Sequence, residues 1–102
     1  MTGCNHSYVG ESHHWKGDMS IKKFNGKLYE VFTFVYENQS PIKDYQVTLE
    51  VGDSVVRQRE DDLNDTKISI KRLLRDSDKN LKKIPVTIKW GNKEEKFKLK
   101  KE

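Results

Sequence analysis

The sequence holds one cysteine, Cys4, which excludes a disulfide within the chain and leaves a core to do the stabilising. No run approaches the roughly 20 apolar residues of a membrane-spanning helix. The basic and apolar segments of a secretory signal are missing ahead of the cysteine. A glycine-rich phosphate loop and a Gly-x-Ser-x-Gly elbow are both absent. Ser12 beside His13 is the nearest approach to a nucleophile with its base. Sequence neighbours of this kind rarely align as a dyad, and no oxyanion-donor loop accompanies them. The expectation is a protein that is not an enzyme and carries no cofactor.

Apolar residues are also scarce, at 33% against 35% charged, yet four Phe, four Tyr and two Trp are more than a disordered chain carries. A chain of 102 residues supports one core, because two would each be too small to cover their apolar surface. A thin core built on aromatics is expected. The net charge of +4 is unevenly spread: Lys79 to Lys101 holds nine lysines against Glu94 and Glu95, while Glu60, Asp61, Asp62 and Asp65 cluster mid-chain. Lys96, Lys98 and Lys100 alternate with Phe97 and Leu99 and so form a basic stripe on one strand face. That stripe suits an anionic envelope surface, lipid headgroup or wall polymer, or serves as a solvated edge that discourages strand aggregation. It lacks stacking aromatics, which argues against nucleic acid.

Three turn signals divide the rest. Asn25-Gly26 fits a two-residue type I′ turn, which needs positive φ at both positions. Counting outward, Met19 faces Phe32 and Trp15 faces Tyr36. Gly52-Asp53 closes a second hairpin in which Tyr45, Val47, Leu49 and Val51 alternate with polar residues, and Leu49 faces Val56. Gly91-Asn92 closes a third, with Ile84 opposite Leu99, Val86 opposite Phe97, and Lys89 opposite Glu94 on the wet side. A lone strand, Thr66 to Lys71, carries Ile68 and Ile70 inward. Leu73 to Lys83 reads as a crossing loop with room for a short helix, and Glu60 to Asp65 as a charged loop.

Hairpin, hairpin, lone strand, hairpin resembles the fibronectin type III or immunoglobulin-like fold. The resemblance implies an all-β, seven-stranded antiparallel sandwich, with the first two and fifth strands in one sheet and the other four in the second. A small lipocalin-like β-barrel is the alternative. One strand is anomalous. Lys27 to Glu37 has Leu28, Phe32, Phe34 and Tyr36 as its inner side, yet Tyr29, Val31, Thr33 and Val35 make the outer side apolar as well. That row is expected to be covered by Tyr8 and Val9, or to form a contact patch for an envelope protein or for a second copy in a weak homodimer.

His6, His13 and His14, with Glu11 and Cys4, are metal-ligand types, but neighbouring histidines in a strand face opposite ways and no closed spacing exists. The acidic run fails as an EF-hand, since Lys67 stands where the loop needs Gly. No metal is expected.

Thr2-Gly3-Cys4-Asn5 resembles the end of a bacterial lipoprotein signal, with Met1 in place of the usual Leu. Gly10-Glu11-Ser12 followed by Trp15-Lys16 is similar to the start of small surface lipoproteins of Gram-positive bacilli. The resemblance implies Cys4 as the lipid attachment site, residues 1–13 as a flexible tether and 14–102 as the folded domain. It also implies a place on the outer face of the cell membrane, the signal having been removed and the truncated chain left soluble. The function expected is a binding or accessory module at the envelope, or a structural or inhibitory protein that acts by association.

Overall fold

The computed structural model describes residues 7–37, 42–63, 67–74 and 81–101, with backbone alone at 42–43 and 60–63. The described residues form eight strands: β1 (Tyr8–Glu11), β2 (Trp15–Phe24), β3 (Lys27–Tyr36), β4 (Ile42–Val51), β5 (Ser54–Leu63), β6 (Lys67–Leu73), β7 (Lys83–Trp90) and β8 (Lys93–Lys101). They form a single sheet in the order β5-β4-β7-β8-β1-β2-β3-β6, every neighbouring pair antiparallel. The terminal strands β5 and β6 touch, so the sheet nearly closes into a barrel.

The three turns set the local register. Asn25 and Gly26 take φ of 51° and 79°, and Gly52 and Gly91 take 60° and 55°. From these turns Trp15 pairs with Tyr36, Met19 with Phe32, Leu49 with Val56, Ile84 with Leu99, and Val86 with Phe97. Lys89 meets Glu94 at 3.9 Å. Ile68 and Ile70 are buried on β6. Period-two alternation and turn geometry therefore specify every hairpin pairing.

The long-range arrangement differs from the expected sandwich. The expected neighbour sets exist, β2-β3-β6 and β5-β4-β7-β8, but β1 lies between β2 and β8 and joins them into one sheet of eight strands. Tyr8–Glu11, expected in the tether, is thus the seam of the sheet. A glycine on β1 makes this possible. Gly10 and Gly17 face each other across β1 and β2, and a Cβ on Gly10 would lie 2.2 Å from the Lys98 carbonyl oxygen. No side chain fits where β1 passes β8 so closely.

Trp15, Phe32, Phe34, Met19, Tyr8 and Leu99 are at most 1% exposed and fill the interior. Full burial of each such side chain contributes about 1.5–3 kcal/mol. The upper end of the barrel carries the β1–β2 corner and the Gly91-Asn92 turn. The lower end carries the Asn25-Gly26 and Gly52-Asp53 turns, the start of β7 and the end of β8.

Three further expectations are corrected. Leu28, placed inside, is 43% exposed, and the inward position next along β3 is Glu30, which is fully buried. Tyr8 points into the core and does not cover the outer row of β3. Glu60 to Leu63, read as loop, continue β5 opposite β4. Residues 75–80 of the expected crossing lie outside the described residues.

Candidate functional site

The lysine stripe is assembled by two strands. Register places Lys83 opposite Lys100, Pro85 opposite Lys98 and Thr87 opposite Lys96, so Lys83 joins the expected trio of Lys96, Lys98 and Lys100 on one outer flank. All four are exposed. Repulsion from the Lys98 charge first, with slight desolvation and the charge of Lys100, holds the Lys83 amine below its ordinary range. An open groove of about 350 Å³ borders the row between Thr48, Glu50, Pro85 and Thr87. Another of about 390 Å³ runs along its far side, between Val9, Glu11 and Phe97. That groove arises because β1 pairs with β8 only at Tyr8 and Val9.

The outer row of β3 is less open than its sequence implies. Tyr29, Val31 and Thr33 are half-buried among the side chains of β2 and β6, and only Val35 is exposed, at 38%. The Lys71 ammonium sits 4.8 Å from the Phe24 ring centre and 5.1 Å from that of Tyr29. At the upper end of the row, Val35 and Thr33 floor a groove of about 570 Å³ with Val9, rimmed by Glu11, Lys16 and Asp18. Lys16 pairs with Glu37 at 3.4 Å.

A polar cluster that the sequence does not advertise lies at the upper end. Glu95 accepts hydrogen bonds from Ser12 Oγ at 2.5 Å, from the His14 backbone N–H at 2.9 Å, and from His14 Nδ1. Burial would raise its pKa. The three hydrogen bonds and the His14 charge outweigh that, and the carboxyl is held below its ordinary value. Serine and histidine both spend their polar atoms on the carboxylate, so the trio is no nucleophile-base-acid relay, in which the histidine stands between the other two. It is a clasp from the β1–β2 corner to β8. The His14 ring also meets Trp90 and Tyr36, at 5.9 and 6.2 Å between centroids, while His13 is exposed.

The lower interior holds a second such cluster. Glu30 pairs with Arg72 across β3 and β6, 3.4 Å from Oε1 to Nε, and the nearby Tyr8 hydroxyl donates to the Leu81 carbonyl. One signal identifies both acids: Glu30 and Glu95 fall on the inward alternation of their strands, where an acid survives only with partners.

Cys4, His6 and the side chains of Glu60, Asp61, Asp62 and Asp65 lie outside the described residues. Among the described residues no three of His, Cys, Asp or Glu are placed to hold a metal ion. No described helix is long and apolar enough to cross a membrane. No family model, no curated protein and no solved structure matches this chain.

Proposed function

We propose that this protein is a non-catalytic binding or accessory module of the cell envelope, held at the outer face of the membrane by a lipid on Cys4. Its working surface is the lysine flank of β7 and β8, and its ligand is an anionic polymer or headgroup. The observation that carries the reading is the row of four exposed lysines that the β7–β8 register crowds onto one flank. A solvated edge has no need of such crowding, and an anion bridging the row would relieve the repulsion. The scaffold is read as a small barrel filled by its own side chains, which presents ligands on its outside.

Binding of inorganic polyphosphate, followed by fluorescence anisotropy against salt, tests the flank. Lys96→Glu with Lys98→Glu is expected to abolish binding and flatten its salt dependence. Retention of both would refute the surface. The anchor is tested separately by palmitate labelling of the full-length precursor, with Cys4→Ser as control; an unlabelled precursor with Cys4 intact would refute it.

A second reading, association through Tyr29, Val31, Thr33 and Val35, is favoured by the apolar floor of the groove beside Val35. It predicts a weak dimer in sedimentation that Val35→Lys dissolves. A monomer at high concentration would end it.

A further inference from the structure

Of the six large apolar side chains exposed among the described residues, four lie at the lower end of the barrel: Phe24, Leu28, Val55 and Leu73, at 41, 43, 56 and 51%. Phe24 and Leu28 flank the Asn25-Gly26 turn, and Leu73 closes β6 beside them, tied in by the Leu74 N–H donating to the Leu28 carbonyl at 2.9 Å. Solvent gives no reason to display an aromatic and a leucine on a protruding hairpin with a second leucine at the strand end beside it. Their surroundings give one. Lys22, Lys27 and Lys71 share the outer face with Phe24 and Leu73, and Lys23 shares the inner face with Leu28; all four lysines are exposed, and the Lys71 ammonium rests against the Phe24 and Tyr29 rings. The same end collects Lys82, Lys83, Lys100 and Lys101, while the acids described there are Glu50 and Asp53, with Glu30 inside and paired to Arg72.

We infer that the crown formed by the β2–β3 hairpin and the end of β6 seats in the headgroup layer of an anionic phospholipid bilayer. Phe24, Leu28 and Leu73 enter below the phosphates, and the lysines contact them. Apolar tips among charges of one sign fit an interface that is anionic at its surface and apolar a few ångströms down. A protein partner of ordinary kind would present a groove for the tips, and anionic polymer alone would have no use for them.

Chain direction agrees, and this part of the argument rests on the lipid-anchored reading. Tyr8 pairs with Met19 antiparallel, so the chain enters the sheet travelling up from the lower end. Cys4 precedes Tyr8 by four residues, a reach of at most about 14 Å. Phe24 lies five residues below Met19, about 17 Å along the strand. An acyl chain on Cys4 is therefore within reach of the plane of the crown, and the second contact would fix the orientation of the barrel on the membrane.

The unlipidated 102-residue chain is tested by co-sedimentation with vesicles of phosphatidylcholine alone or mixed with phosphatidylglycerol. Binding is expected to the mixed vesicles only. Phe24→Ser with Leu28→Ser should weaken it by about tenfold or more, and Lys23→Glu by about fivefold or more. F24W should report insertion through a blue-shifted emission that brominated lipid quenches. The inference falls if the chain ignores mixed vesicles, if the serine variants bind as well as wild type, or if only Lys96→Glu and Lys98→Glu weaken binding. In that last case the flank reading survives without the crown. Polyphosphate binding to the flank, which the serine variants should leave unchanged, separates failure of one surface from failure of the other.

Discussion

Tyr8 shows how one side chain changes the meaning of a segment. Its ring is 1% exposed, its hydroxyl donates to Leu81, and burial first, the Glu30 charge second, raise its pKa above 10.0. A raised phenol pKa means the unfolded chain gives up the proton more readily. The stabilisation is therefore complete below pH 10 and is lost as the pH rises through the folded-state value. Tyr8→Phe should lower stability near neutrality by about 1 kcal/mol. It should also remove part of the alkaline decline, both seen in urea melts followed by circular dichroism from pH 7 upward. A variant with the wild-type alkaline slope would show that the phenol is not responsible. None of this is legible locally: Tyr8 and Val9 are two apolar residues in a polar stretch, too few to establish alternation. The clue is chemical and distant, since the Leu81 carbonyl that receives the hydroxyl is 73 residues away.

Two pairings between strands depend on inward acids, and each can be separated from ordinary packing. At the β1–β2 corner, the Glu95 carboxylate joins Ser12 and His14 to β8. Its pKa is depressed on folding, so its contribution is present above the ordinary carboxylate value and disappears as the pH falls through the lower folded value. Glu95→Gln should cost about 1–3 kcal/mol at neutral pH. The gap from wild type should close on acidification; a gap independent of pH would mean the cost is steric. Between β3 and β6, Glu30 and Arg72 are direct cross-strand partners. Glu30→Leu removes the Glu30 carboxylate from the guanidinium and should cost about 3–5 kcal/mol, whereas Glu30→Leu with Arg72→Met should recover most of it. Additive losses in that double-mutant cycle would show the pair to be uncoupled. The hairpins that frame these contacts were legible because turn and alternation are local signals. Alternation turns both acids inward, but their partners come from other strands and only the fold reveals the match.

At the scale of the molecule, the difference between two sheets and one comes down to four residues. The resemblance of the strand order to a fibronectin type III or immunoglobulin-like domain groups β2, β3 and β6 apart from β4, β5, β7 and β8, and it implies a sandwich. What joins the groups is β1, held by four pairings to β2 and by two to β8, with a glycine where a side chain would push it away. Gly10 has ordinary backbone angles, so strain from positive φ plays no part and the constraint is space: the added carbon would sit 2.2 Å from Lys98 O and 2.9 Å from its carbonyl carbon, both backbone. Strands cannot yield there as a flexible side chain can. Gly10→Ala should therefore displace β1 from β8 and cost about 3 kcal/mol or more. Gly17→Ala meets the Phe34 ring at 2.7 Å and the Leu99 side chain of β8 at 3.1 Å, core side chains with room to adjust where Gly10 meets backbone, and should destabilise the core without displacing β1 first. Hydrogen exchange distinguishes the two. In Gly10→Ala, protection should fall first at Tyr8, Val9, Lys100 and Lys101 while the β2–β3 and β4–β5 ladders persist. In Gly17→Ala the loss should spread over the whole sheet. If Gly10→Ala instead unfolded every strand together, the sheet would be one cooperative unit, and the two groups of strands would have no independent stability for β1 to join.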